Sequence, residues 1–147
     1  MTGLVFVDTN VLVYAVDAGD RGKHAVARAW RSELWRRRRG RLSFQVLHEF
    51  YAQVLRKDPG TRDRARAEIR DLQAWGPVSP SMVTLESAWA LQDRYKLPFW
   101  DALIVAAAKA ASCSHLLSED FQPNQDIDGV VVVNPFRTDP AALLGPA

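Results

Sequence analysis

Leu4, Val5, Phe6 and Val7 form an unbroken apolar tetrad. Such a run predicts a strand buried on both faces, as in a parallel sheet covered by helices. It leads through Asp8 into NVLVYAV across a strand-to-helix junction. In GKHAVARAWRSELWRRRR, Ala25, Val26, Ala29, Trp30 and Leu34 recur at helical intervals, and Gly40 is read as the residue that closes the helix. RLSF reads as a short strand. Val46, Leu47, Phe50, Tyr51, Val54 and Leu55 then fit a 3.6-residue period in QVLHEFYAQVLRK, and PGTRDRARAEIRDLQAW carries a weaker stripe among many charges. GPVSPS has room only for a very short strand. MVTLESAWALQDRYK and FWDALIVAAAKAAS read as helices, the second apolar on nearly every side and therefore buried; HLLS and GVVVV are the closing strands. This alternation predicts an α/β chain, a three-layer α/β/α sandwich with a mainly parallel sheet of about five strands.

Composition narrows this reading only slightly. With 147 residues, 48% hydrophobic and 24% charged, residues 1–147 are expected to form one domain with a sizeable core. The single cysteine, Cys113, has no intrachain disulfide partner. The apolar runs are too short for a membrane span, and the first residues lack a basic-then-apolar leader. The cytoplasm is the expected compartment.

Charge changes the picture more. The net value is only +2, but residues 21–41 hold nine Lys or Arg against Glu33 alone, whereas residues 1–20 carry Asp8, Asp17 and Asp20 with no cation. Residues 99–147 have six acids against Lys109 and Arg137. An acidic site beside a basic surface is implied, with Arg28, Arg31, Arg36, Arg37, Arg38, Arg39 and Arg41 as a substrate or partner surface. The same arginines also suit a solvated helix end, where cations complement the dipole. Trp30 and Trp35 are read as packing residues, and His24, His48 and His115 as packing or surface groups.

The acids fall into a pattern on this frame. Asp8 ends the first strand, Glu49 lies in the second turn of the helix after the second, Asp101 lies in the first turn of FWDALIVAAAKAA, and Glu119 and Asp120 follow HLLS. Parallel strands joined by helices place all these positions at one sheet edge, where open α/β sheets bind ligands. Each has an ordinary reading alone. Asp8 serves as a helix cap, Glu49 as a surface residue beside Gln45, Gln53 and Arg56, Asp101 as a first-turn acid and Asp120 as a turn residue. Four carboxylates about 4 Å apart would repel by about 4 kcal/mol per pair at an effective dielectric near 20. Either raised pKa values or a hard divalent cation must neutralise them, and oxygen ligands suit Mg²⁺ or Mn²⁺ rather than zinc. A haloacid-dehalogenase-like phosphatase needs an acid two positions after the first, where this chain has Asn10.

FVDTNVLVYAVD, LSFQVLHEFYAQVLRK, FWDALIVAAAKAA and HLLSEDFQPNQDIDGVVVVNPF together resemble the PIN-domain ribonucleases, and among them the VapC toxins of type II toxin–antitoxin systems. The resemblance implies that Asp8, Glu49, Asp101 and Asp120 are metal-binding acids, supported by Asn10 and Ser118, with Glu119 in an outer shell. It implies Mg²⁺ or Mn²⁺ as cofactor and RNA as substrate, cut to leave 5′-phosphate and 3′-hydroxyl ends. It also implies a homodimer and a small cognate antitoxin whose C-terminal segment lies along a groove. A non-catalytic scaffold of the same fold is the alternative. Two departures concern loop shape: many relatives have glycine where this chain has Ser112 and Asn124, and Asn tolerates a left-handed backbone.

Overall fold

The computed structural model describes residues 3–146. Strand β1 (Leu4–Val7) ends at Asp8 and gives way to helices α1 (Thr9–Val16) and α2 (Arg21–Arg36). Strand β2 (Gly40–Arg41) leads to α3 (Phe44–Lys57), α4 (Arg62–Leu72), α5 (Met82–Tyr95) and α6 (Phe99–Ala110). Strands β3 (Cys113–Leu117), β4 (Asp126–Ile127) and β5 (Val130–Val133) follow, and α7 (Pro140–Leu144) comes last. The sheet order is β2-β1-β3-β5-β4; all neighbours are parallel except β4 with β5. This is the expected helix-flanked, mainly parallel five-stranded sheet.

Burial explains why these segments take these forms. Val5, Phe6 and Val7 of β1 and Leu116 and Leu117 of β3 are almost inaccessible, as the unbroken apolar runs require. Helix α6 buries Ala102, Ile104, Val105, Ala106, Ala107 and Ala108 and packs on β3 and β5. Small side chains let it lie close to the sheet. Ser43 caps α3 by accepting from the Val46 N–H, fixing where that helix leaves the sheet and hence where Glu49 stands.

Four local readings need correction. GPVSPS contributes only a bridge between Val78 and Ser43, and the fifth strand is β4, whose two residues carry too little periodicity to be noticed. Helix α7, capped by Asp139 and opened by Pro140, is an addition to the expected elements. On α2 the buried stripe is Ala27, Trp30 and Leu34, whereas Ala25 and Ala29 face solvent. Gly40 does not close that helix. The helix ends at Arg36, and Arg38 takes the left-handed turn at φ 56°, while Gly40 lies in β2 under the Trp75 ring. Ser112 and Asn124 both adopt left-handed backbone, at φ 59° and 68°, the conformation that glycine takes at least cost.

A methyl group at Gly40 would stand closer than 3.0 Å to three atoms of the Trp75 ring, which is itself buried. Gly40→Ala is therefore expected to cost about 1–3 kcal/mol in urea unfolding, whereas Gly22→Ala, which meets only ordinary contacts, costs nothing measurable. Ser112→Gly is expected to stabilise by about 1 kcal/mol, because it relieves a left-handed residue whose side chain makes no hydrogen bond to a described residue. Chemical denaturation midpoints at constant m-value read both.

Candidate functional site

Asp8 is 7% exposed at the carboxyl end of β1, and it acts both as cap and as part of a cavity. Its carboxylate accepts from the Thr9 N–H at 2.8 Å, the Ser118 hydroxyl at 2.8 Å and the Asn10 amide at 3.2 Å. Asn10 Nδ2 also stands 3.1 Å from the Asp120 carboxylate and 3.2 Å from Ser118 Oγ. Ser118 is completely buried and in turn accepts from the Asp120 N–H. Glu49, half-buried on α3, accepts from Thr9 Oγ1 at 2.9 Å and from Gln45 at 3.0 Å. The Asp101 carboxylate, in the first turn of α6, accepts no hydrogen bond from any described residue.

The four acids line one cavity of about 130 Å³, together with Thr9, Asn10, Gln45, Gln53, Trp100 and Ile104. No Lys or Arg among the described residues forms an ion pair with any of the four. Burial pushes the Asp8 carboxyl up to about 6; hydrogen bonds from Ser118 and Thr9 oppose the rise, and the Asp120 and Glu49 charges add to it. Asp101 is raised as well, by burial first and then by Asp120 and Glu49. Desolvation rather than mutual repulsion is thus the leading perturbation. The donor set is all oxygen, partly dehydrated and uncompensated by cations among the described residues, which is the ligand type that a hard divalent ion takes. Among the described residues no three His, Cys, Asp or Glu side chains are grouped closely enough to share one ion.

The supporting and surface residues divide. Asn10 and Ser118 tie Asp8 to Asp120. The backbone N–H of Glu119 donates to Asn10 Oδ1, but its side chain turns away to Lys23. The arginine stretch lies apart from the acids, because Gly40 pairs in parallel with Val5 near the start of β1 while Asp8 follows its end. Arg31 pairs with Glu68 and stacks on Trp35, Arg36 and Arg37 pair with Glu33, and Arg37 and Arg41 also donate to backbone carbonyls. Arg28 and Arg38 are exposed, and Arg39 is half-buried. Trp30 is a packing residue whose indole donates to the Pro135 carbonyl. None of the three histidines lines the acidic cavity.

Sequence reasoning missed Thr9 and Trp100. Thr9 follows the cap and bridges two acids; its place inside DTN was the available signal. Trp100 precedes Asp101 and is 63% exposed. It walls both the acidic cavity and a larger, mostly apolar groove of about 820 Å³, and Gln45 and Glu49 are likewise shared between the two. No described helix is long and apolar enough to cross a membrane.

The sequence pattern of the PIN domain matches residues 5–125. No curated protein matches the chain. A toxin–antitoxin complex from Klebsiella pneumoniae contains a similar fold, with a TM-score of 0.64 at 24% identity over 89% of this chain and 97% of that one. The crystal structure of Mycobacterium tuberculosis VapC20, a sarcin–ricin-loop-cleaving toxin, is similar with a TM-score of 0.60 at 23% identity, over 76% of this chain and 86% of that one. At these identities the likeness is one of fold.

Raising Asp8 from its ordinary value of 3.8 to about 6 makes its ionised form cost the metal-free fold about 3 kcal/mol. That stabilising proton is fully present below pH 3.8 and is lost as pH rises through 6. In chelator, Asp8→Asn is therefore expected to melt several degrees above the parent chain at pH 8, with the gap closing by about pH 4. Melting curves of both proteins across this range check the sign.

Proposed function

The chain belongs to the PIN-domain family, and from that premise we propose that it is a divalent-metal-dependent endoribonuclease acting as the toxin of a toxin–antitoxin pair. The observation that carries this reading is the meeting of Asp8, Glu49, Asp101 and Asp120, from four separate segments, in one cavity without a compensating cation. These four residues would hold Mg²⁺ or Mn²⁺, with side-chain adjustment as the ion binds. When bound, the ion supplies an acidified water and charge neutralisation for in-line displacement at phosphorus.

The chain's own groups prepare that chemistry. Asp8 is fixed by three donors, so its oxygens face the cavity without searching rotamers. Asn10 holds Asp120 at a set distance from Asp8, and Thr9 does the same for Glu49. The Asp101 carboxylate, which takes no hydrogen bond from a described residue, is the one most available to a ligand. Trp100 walls one side of the cavity.

RNA is the proposed substrate, and a homodimer restrained by a small antitoxin the proposed resting state. One similar structure is a toxin–antitoxin complex, and the other similar protein is a sarcin–ricin-loop-cleaving toxin. An uncompensated acidic cavity is also a receptive site for an antitoxin guanidinium, which would compete with metal and substrate. The arginine stretch, at the opposite sheet edge, suits RNA phosphates remote from the scissile bond or a partner surface.

Mg²⁺ or Mn²⁺ is expected to raise the melting temperature of the parent chain and to be required for RNA cleavage, with Ca²⁺ a poor substitute. Asp8→Asn, Glu49→Gln, Asp101→Asn and Asp120→Asn should each lower the cleavage rate on the order of 100-fold or more while circular dichroism stays unchanged. Full activity in chelator, or parental rate in any one variant at saturating metal, would count against the site. Expression of the chain alone should arrest growth. Folded protein that neither responds to metal nor cuts RNA would favour a non-catalytic scaffold.

A further inference from the structure

Glu119, between Ser118 and Asp120, sends its side chain away from the cavity. Its Oε2 accepts from Lys23 Nζ at 2.7 Å, and the same ammonium donates to the Tyr14 hydroxyl at 3.4 Å. Lys23 Nζ also lies 5.0 Å from the ring centroids of both Tyr14 and Phe136. Those two rings meet edge to face at 5.3 Å. One cation therefore joins four segments: α1 through Tyr14, α2 through Lys23, the loop after β3 through Glu119, and the NPF segment after β5 through Phe136. Phe136 is aimed by its own turn, in which Asn134 Oδ1 accepts the Phe136 N–H at 2.9 Å.

The loop held this way carries much of the candidate site. Ser118 donates to Asp8, the Glu119 N–H donates to Asn10, and Asp120 accepts from Asn10. Asp120 is otherwise exposed, and among the described residues that bond alone locates its carboxylate. We propose that Lys23 is a positioning residue, clamping Glu119 against the Tyr14–Phe136 ring pair so that the Ser118–Asp120 loop presents Asp120 to the cavity. The clamp stands on geometry alone, while its consequence for catalysis rests on the nuclease reading given above. Glu119 also raises the pKa of Lys23 and of Tyr14, which keeps the ammonium charged and the phenol protonated.

The pair is partly exposed, so removing it should leave the global fold stable and act locally. The test compares the parent chain with Lys23→Met and Lys23→Arg, by amide hydrogen exchange in chelator and by RNA cleavage with Mn²⁺. Lys23→Met should speed exchange of the Glu119 and Asp120 amides about tenfold, leaving β1 amides unchanged. It should lower kcat roughly 10–100-fold at unchanged KM, and Lys23→Arg, which can also pair with Glu119 and stack on the rings, should restore both. Unchanged exchange in Lys23→Met would overturn the clamp. Faster exchange with parental kcat, or a loss confined to KM, would overturn the positioning role, the latter marking Lys23 as an RNA phosphate contact. If the parent chain cuts no RNA while exchange responds as stated, the nuclease reading falls and the catalytic role with it, but the clamp survives.

Discussion

A carboxylate at the end of a strand buried on both faces has few ways to be hydrated. Asp8 sits there because β1 runs through the middle of the sheet, with β2 on one side and β3 on the other, and the chain must turn into α1 immediately after Val7. The desolvation this imposes is answered by short hydrogen bonds from Thr9 and Ser118, and it is only partly answered, since the carboxyl remains pushed up to about 6. Much of the surrounding polar order follows from that group. Ser118 is buried because it serves Asp8, and Asn10 spans the gap to Asp120 because Asp8 holds one of its amide protons.

Neutral donors organise this cavity. Amide and hydroxyl groups fix carboxylates in place without cancelling their charge, whereas lysines or arginines in the same positions would pair with them. Lys23, which reaches the neighbour of Asp120, is engaged by Glu119. A scaffold selected for stability alone would gain by pairing or replacing such acids. Their meeting in one cavity from four separate segments, with no ion pair among the described residues, is what makes the cavity a candidate functional site.

The motifs around the site also gain physical meaning. In DTN, Asp8 is the desolvated acid, Thr9 couples it to Glu49 on another helix, and Asn10 couples it to Asp120 on another loop. In SED, Ser118 faces inward, Glu119 outward to Lys23, and Asp120 back toward the cavity. The alternation places a structural anchor between two site residues, so three consecutive positions do three different jobs.

Sequence alone determined the layer architecture and the edge at which the acids gather, because apolar runs of strand length report two-sided burial and parallel connections leave helix starts on one side. It also anticipated that Asn124 could hold a left-handed turn. Tertiary structure decided what periodicity does not encode. Gly40 looked like a helix terminator, but the Trp75 ring is what excludes a side chain there, a contact between residues 35 positions apart. The arginine stretch looked like a neighbour of the acids by its charge, yet strand direction carries it to the opposite sheet edge, where Glu33, Glu68 and backbone carbonyls occupy several of its members. Mutual repulsion looked like the dominant strain among the four acids, but burial comes first in raising both Asp8 and Asp101, with the neighbouring acids behind it. The partners of Lys23 lie 9, 96 and 113 residues away along the chain. Only the packed sheet brings them to one ammonium, since hydrophobic patterning fixes which face of a helix is buried and leaves open which polar groups meet at its rim.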